Sequence, residues 1–343
     1  MKIKSLSAIL LSAFLLVSSL TFAIPVSAAE VGYGNLYFIV SNEDYSAQLS
    51  TYNGTDAEVI IPDEVYGYKV TSIAPRVFYG NTTMERVFIP ETVDTIGLYA
   101  FAFCSGLKSI TLSANVTSMD NSVFIGCSSL ESAQVDCSIE KLPGGTFQSC
   151  PLLSSVALSA SIKEIGSTAF MDCPSLESLP TKNITKYGSN CFLGTSVSKV
   201  DIAYGTENLP WMCFANCKNI SEVTIPSSVT SIDDTAFYNV ENQFTINCVD
   251  GSYALEYAQN NSIPYSLRVE FMLGDTEGDG KVSINDVTQI QRHLAELENL
   301  EGIYLYAADA NRDGEIDISD ATAIQMYLAA YEVSYPIGKI ITQ

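Results

Sequence analysis

A phenylalanine recurs along this chain at Phe78, Phe101, Phe124, Phe147, Phe170, Phe192, Phe214 and Phe237, with successive gaps of 23, 23, 23, 23, 22, 22 and 23 residues. Self-similarity at a fixed period of this size marks a stack of repeats. A single unit of that length cannot bury its own apolar columns, whereas stacked units share them as one continuous core. The flanking columns agree. Segments such as VTSIAPRVF, VDTIGLYAF, VTSMDNSVF and IKEIGSTAF end on the phenylalanine, and CSGLKSITL, CSSLESAQV, CPLLSSVAL and CKNISEVTI follow it. The alternation in SITL and EVTI predicts strands, and the AF..C portion predicts a turn or a short helical segment. With strands about 4.8 Å apart, eight coils make a rod on the order of 40 Å long.

The cysteines follow the same period. Nine lie between Cys104 and Cys248, an odd number that cannot form a complete disulfide framework. Cys104, Cys127, Cys150 and Cys173 recur at 23 residues, Cys217 falls in their column, and Cys191 and Cys213 form a second pair just before the phenylalanine. The favoured reading is an inward column of small buried hydrophobes. A disulfide between adjacent coils and a metal site are the alternatives, although no His accompanies the column.

These residues resemble the bacterial BspA-like class of leucine-rich repeat, with its V..I...AF..C..L..I.L pattern, over residues 58–250. The resemblance implies a leucine-rich repeat solenoid built on a stack of parallel strands and acting in adhesion or protein binding, not catalysis. Asn81, Thr195 and Val240 depart from the cysteine column, and the coil through TKNITKYG lacks the I.LP segment. Before the repeats, residues 30–57 contain GNLYFIVSNEDYSAQLSTYNG, whose alternation around Asn42-Glu43-Asp44 predicts a β-hairpin cap. After them, residues 251–272 contain GSYALEYAQNNSIPYSL, which predicts a short helix from about Ser252 and a last extended segment, a C-terminal cap and linker. A solenoid needs such caps because its ends would otherwise expose core and strand edge.

Beyond the repeats, DTEGDGKVSIND at 275–286 and DANRDGEIDISD at 309–320 crowd oxygen-bearing side chains at matching positions. Numbered from the first Asp, ligands at 1, 3, 5, 9 and 12 with Gly at 6 follow EF-hand spacing. The first loop offers Asp275, Glu277, Asp279, Ser283 and Asp286, with Gly280 at the turn and the backbone carbonyl of Lys281 at position 7. The second offers Asp309, Asn311, Asp313, Asp317 and Asp320, with Gly314 and the carbonyl of Glu315. Calcium suits six to eight hard oxygens in flexible geometry, which predicts two Ca2+ ions. Position 12 is Asp in both loops where a plain EF-hand has Glu. One helix follows each loop, with Val287, Ile290, Leu294 and Leu297, or Ala321, Ile324, Leu328 and Tyr331, expected on a common apolar face.

Paired loop-helix units with Asp at position 12, and VSINDVTQIQRHLAEL beside IDISDATAIQMYLAAY, resemble a type I dockerin over residues 273–334, leaving a tail at 335–343. The resemblance implies a small all-α dockerin with two EF-hand-like calcium loops that binds the cohesin module of a scaffoldin, as in the cellulosomes of anaerobic bacteria. It also implies that partner choice rests on Ile284, Asn285, Gln291 and Arg292 and on Ile318, Ser319, Gln325 and Met326. The near-symmetry of the halves is compatible with docking in either of two orientations, with Arg292 against Met326 as the main difference.

The opening MKIKSLSAILLSAFLLVSSLTFAIPVSAAE predicts a secretory signal peptide over residues 1–29. With no later apolar run long enough to span a bilayer, the expectation is a secreted protein held at the cell surface through a scaffoldin and without a transmembrane anchor. A formal net charge of −22 argues against nucleic acid as partner, since that requires clustered Lys and Arg. The one His, His293, lies on the first dockerin-like helix and is expected to be partly exposed; with no second His, a Ser-His-Asp or Cys-His arrangement within the repeats is excluded. Trp211, Tyr187, Tyr99 and Tyr204 could stack on sugar rings, but they sit in different columns, which favours surface or cap packing. The reading is a non-catalytic protein whose repeats bind an unidentified protein, cell-surface or glycan ligand. The alternatives are a cellulosomal glycoside hydrolase, whose carboxylate pair residue type alone does not exclude, and a cell-surface adhesin.

Overall fold

The computed structural model describes residues 29–179, 183–240 and 244–342. The signal-peptide expectation therefore lies, Ala29 apart, outside the described residues.

The repeats wind into a β-solenoid whose coils contribute short strands to two parallel ladders. On one side, Tyr68–Ile73, Thr95–Ile96 and Ser118–Met119 stack in register, Ile73 beside Ile96 and Ile96 beside Met119. On the other, Ser109–Leu112, Ser132–Val135 and Ser155–Leu158 pair with Ile110, Ala133 and Val156 aligned. The second ladder resumes with Lys199–Asp201, Glu222–Thr224, Thr245–Val249 and Tyr265–Arg268. The AF..C portions are tight turns, not helical segments.

The phenylalanines form the spine. Consecutive rings from Phe78 to Phe237 lie 5.0–5.6 Å apart between centroids and within 7–20° of parallel. The two 22-residue gaps leave this stack unbroken, so the missing residue is absorbed outside the ring column. Each offset pair adds about 0.5–1.5 kcal/mol beyond the area it buries. Aromatic rings also close both ends. Tyr52, on the last strand of an antiparallel meander formed by Ala29–Tyr33, Leu36–Ser41 and Ser46–Tyr52, sits 5.2 Å from Phe78. At the far end Phe244 lies 5.3 Å from Phe237, and Tyr257 of helix α1 (Tyr253–Asn260) lies 6.4 Å from it.

All nine cysteines are free and buried. The thiols of Cys104, Cys127, Cys150, Cys173 and Cys217 donate to the carbonyls of Phe78, Phe101, Phe124, Phe147 and Phe192, each one coil back, at 3.1–3.2 Å. The column is thus a ladder of S–H donors as well as a packing element. Thr195 fills the same place and donates to Phe192 O of its own coil at 2.9 Å, whereas Asn81 turns its Oδ1 to the backbone N–H groups of Thr83 and Met84.

The turns on either side of each phenylalanine demand left-handed backbone. Two residues after it, Gly80, Gly126, Ser149, Asp172, Gly194, Asn216 and Asn239 all have positive φ, as does Phe103 at 57°. Two residues before it, Ser122, Gly145, Asn190 and Thr168 do too, as do Arg76 at 63°, Tyr99 at 58° and Met212 at 51°. Such a conformation costs a residue with a side chain roughly 1–2 kcal/mol unless, like Asn or Asp, it bonds locally. Most of these positions carry Gly, Ser, Asn or Asp; Thr168 and Met212 are exceptions in later coils, and the first two coils place Arg, Tyr and Phe there.

The C-terminal region carries helices α2 (Ile284–Leu294), α3 (Ile303–Ala308) and α4 (Ile318–Leu328). Val287, Ile290, Ala321 and Ile324 meet Ala307, Ala308, Leu273 and Phe271 in a separate small core. Two short strands, Glu270–Met272 and Ile340–Thr342, pair antiparallel and join the beginning of this region to its end. The apolar face expected of the helices holds only for its first half. Leu294 and Leu328 are 40% exposed, Leu297 73% and Tyr331 67%. The helices end at Leu294 and Leu328, and the alanine-rich core beneath them is too narrow to cover anything further along.

Candidate functional site

Each acidic loop is wound around the carboxylate that opens it. Asp275 Oδ1 accepts from Gly278 N at 2.7 Å and Asp279 N at 3.2 Å, and its Oδ2 accepts from Gly280 N at 2.9 Å. Asp309 repeats the arrangement with Asp313 N at 3.1 Å and Gly314 N at 3.0 Å. The backbone turns left-handed at Gly280 (φ 80°) and Gly314 (φ 92°), which is why glycine stands at position 6 in both loops. Lys281 N and Glu315 N then donate to Asp279 Oδ1 and Asp313 Oδ1, both at 2.9 Å.

The closing residues serve the helices as well. Ser283 and Asp317 are the N-caps of α2 and α4, and Asp286 and Asp320 complete capping boxes three residues on. Asp286 Oδ2 accepts from Ser283 N at 2.7 Å, and Asp320 Oδ2 from Asp317 N at 2.9 Å. Their other oxygens reach back across the loop, Asp286 Oδ1 to Thr276 N at 2.7 Å and Asp320 Oδ1 to Asn311 N at 3.0 Å. Position 12 therefore pins both ends of each loop, and both carboxylates are fully buried.

A hard cation fits this chemistry. Among the described residues no Lys or Arg forms an ion pair with a loop carboxylate. Burial, with the charges of Asp309 and Asp313 adding to it, holds the Asp320 carboxyl above its usual range against the pull of the Asp317 and Asn311 N–H groups. Asp275 Oδ2, Asp286 Oδ2 and both oxygens of Asp320 accept one N–H each and so keep a lone pair for a metal. Among the described residues, however, no three His, Cys, Asp or Glu side chains converge as a ready-formed cluster. Glu277 is drawn to Asn285 Nδ2 at 3.3 Å, and Asn311 donates to Asp313 Oδ2 at 2.9 Å and Ser319 Oγ at 2.7 Å. Gathering these groups on an ion requires their side chains to rotate inward over a backbone already in place.

The residues expected to choose a partner lie on the outer surface of α2 and α4 and at the loop ends. Ile284 and Ile318 are 60% and 61% exposed, an unusual placement for isoleucine, and Gln291, Arg292, Gln325 and Met326 are exposed too. Asn285 and Ser319 are exposed but hold Glu277 and Asn311. Arg292 pairs with Glu298 at 2.8 Å. His293 is half-buried, and its Nδ1 accepts from Leu300 N at 3.2 Å, fixing the chain after α2.

Several features escaped sequence reasoning. The six-residue α3 carries no capping side chain to announce it. The strand pairing of 270–272 with 340–342 is non-local and has no local signature, and Phe271 stacks on Tyr306 at 5.8 Å. The capping boxes could have been read from the S-x-x-D and D-x-x-D spacing. On the solenoid, Tyr187 is not a platform for sugars: it is buried against Phe192 and Phe214, because it stands in register with Ile165 in a column that faces the core in every coil. Trp211 and Tyr204 are about half exposed, and Tyr99 is half-buried beneath Arg76.

Comparison with known proteins agrees with this anatomy. The family model described as the BspA type leucine rich repeat region, in six copies, matches residues 71–192 and 146–262, and that of the dockerin type I domain matches residues 273–329. No curated protein matches. Among solved structures, a leucine-rich cell surface protein from Faecalibacterium prausnitzii is 20% identical, with 69% of this chain and 97% of that one covered, at a TM-score of 0.35. A leucine-rich repeat protein from Bacteroides ovatus is 20% identical, with 64% and 70% covered, at 0.40. The leucine-rich repeat protein of T. pallidum is 21% identical, with 62% and 92% covered, at 0.39. The stacked phenylalanine and cysteine columns and the two matched family models place this chain in the BspA-type leucine-rich repeat family, with a type I dockerin domain at its C-terminal end.

Proposed function

We propose that this chain is a non-catalytic binding protein exported from the cell and held on a scaffoldin by its dockerin, which docks a cohesin in a calcium-dependent manner within a cellulosome-type polysaccharide-degrading complex. The observation that carries the reading is the paired exposure of Ile284 and Ile318 at the same position of two loop-helix units, inside a region that matches the dockerin family model. An exposed isoleucine repeated on two equivalent helices is an interaction surface in waiting. Two calcium ions are held by Asp275, Glu277, Asp279, Ser283 and Asp286 with the Lys281 carbonyl, and by Asp309, Asn311, Asp313, Asp317 and Asp320 with the Glu315 carbonyl. Calcium bound there would supply the positive charge that the carboxylates of Asp286 and Asp320 lack, and these are the same carboxylates that cap α2 and α4. The repeats then present their surface to a ligand outside the cell.

Among the described residues no helix is long and apolar enough to cross a membrane, which is consistent with a non-covalent tether. Capture of the full chain on an immobilised cohesin, with release by chelator, tests the reading. Retention that is indifferent to chelator contradicts it, as does hydrolysis of plant polysaccharide by the purified chain.

A further inference from the structure

The first two coils place an arginine and three aromatic residues on one turn ridge. Arg76 Cζ lies 5.6 Å from the ring centroid of Tyr79 and 5.4 Å from that of Tyr99, and Tyr79 meets Phe103 edge-on at 5.4 Å. Tyr79 is 50% exposed and Phe103 45%, and Arg76 is exposed. Three of the four occupy left-handed positions that most other coils give to Gly, Ser, Asn or Asp. Phe103 is the one large side chain in its column, and Gly126 in the next coil makes room for it: a Cβ there would come within 2.4 Å of the Phe103 ring. Core packing does not explain these choices, because the core is filled from beneath by Phe78 and Phe101, stacked at 5.0 Å.

From this juxtaposition we propose that Arg76, Tyr79, Tyr99 and Phe103 form a binding site for an acidic polysaccharide, one whose sugars carry a carboxylate. It rests on the reading that the repeats are a ligand-binding surface and names that ligand's class. The exposed rings of Tyr79 and Phe103 suit the flat C–H faces of sugars. The Arg76 guanidinium carbon lies within 5.6 Å of two tyrosine ring centroids, and a guanidinium so placed can offer two parallel N–H···O bonds to a carboxylate. Among the described residues Arg76 has no ion pair, although the chain carries a net charge of −22.

The test is affinity electrophoresis of the full chain in gels cast with polygalacturonate or with a neutral β-glucan, with cohesin capture measured on the same preparations. Retardation by polygalacturonate and not by the glucan is expected. Arg76→Gln should weaken it about tenfold, as loss of a charge-assisted pair does, and Tyr79→Ala and Phe103→Ser should each weaken it severalfold. Both ring substitutions are at exposed positions, and unchanged cohesin capture and circular dichroism verify the fold. Equal retardation by the neutral glucan, retardation that survives all three substitutions, or binding only to a protein or peptide overturns the proposal. So does absence of retardation while cohesin capture is intact, which leaves the scaffoldin reading standing. Loss of cohesin capture alone counts against that reading and not against this site.

Discussion

The carboxylate of Glu270 accepts two hydrogen bonds from Ser227, one from its backbone N–H at 2.9 Å and one from its hydroxyl at 2.5 Å. Ser227 belongs to the last coil of the solenoid, and Glu270 opens the strand that pairs with Ile340–Thr342. Thr342 Oγ1 donates to the same carboxylate at 3.1 Å, so one side chain ties the repeats to both ends of the dockerin region. Glu270→Ala should free the two parts to move. Small-angle scattering of the full chain should show a broader distance distribution, with cohesin affinity and the melting of each part nearly unchanged. An unaltered distribution would mean that the latch does not hold the junction.

The cysteine ladder predicts a ranking of substitutions. Cys127 donates to Phe101 O and fills a fully buried site. Cys127→Thr, which borrows the residue found at Thr195, keeps a donor and most of the volume. It should cost less than about 1 kcal/mol, whereas Cys127→Ala leaves a small cavity and takes one of two hydrogen bonds from the Phe101 carbonyl, which keeps that of Cys104 N at 3.3 Å, and should cost about 1–2 kcal/mol. Denaturant titration of both variants checks the order. Alanine tolerated better than threonine would show that the hydrogen bond is immaterial.

Alkaline pH should unfold the solenoid before it affects the helices. Burial pushes the Cys104 thiol up to about 12 and that of Cys217 to about 11, from an ordinary value of 9.0. The folded pKa lies above the unfolded one, so the thiols' contribution is complete below pH 9 and is lost as pH rises from 9 towards 12. Thermal melts should be flat to about pH 8.5 and fall steeply above it, less steeply in a Cys104→Val variant. A flat profile through pH 11 would contradict the burial of these thiols.

How far the sequence could be read depends on whether a feature repeats. The phenylalanine spine and cysteine column recur many times, so any local accident averages out and the solenoid is legible. The carboxylate spacing is likewise doubled, which makes Asp275 and Asp309 recognisable as equivalents. Features that occur once were hidden. Nothing near Glu270 or Thr342 marks them as partners 72 residues apart, because strand pairing at that separation depends on the fold already formed. Helical periodicity suggested that Leu294 and Tyr331 are buried, but periodicity reports a face and not how far a neighbour extends along it. Tyr187, by contrast, stands five residues before Phe192, in the column that Ile165 and Leu209 fill in the neighbouring coils, so the repeat itself marks it as inward-facing.

The matched surfaces of α2 and α4 predict redundancy. Ile284→Asp on α2 should weaken cohesin binding by less than about tenfold if α4 can take its place, and the double change Ile284→Asp with Ile318→Asp should weaken it by about a hundredfold or more, as loss of an apolar anchor does. Calorimetric titration of the two variants distinguishes redundancy from a single fixed orientation, in which one of the two single substitutions would already be as damaging as the pair.

Calcium-dependent attachment is the central claim, and titration of the full chain with a cohesin in calcium, in chelator, and with the variant Asp275→Ala/Asp309→Ala tests it most directly. Each substitution removes the carboxylate around which a loop is wound. Saturable binding in calcium, lost with chelator and lost in the double variant while the solenoid still melts cooperatively, is the predicted result. Undiminished binding by the double variant in calcium would contradict it.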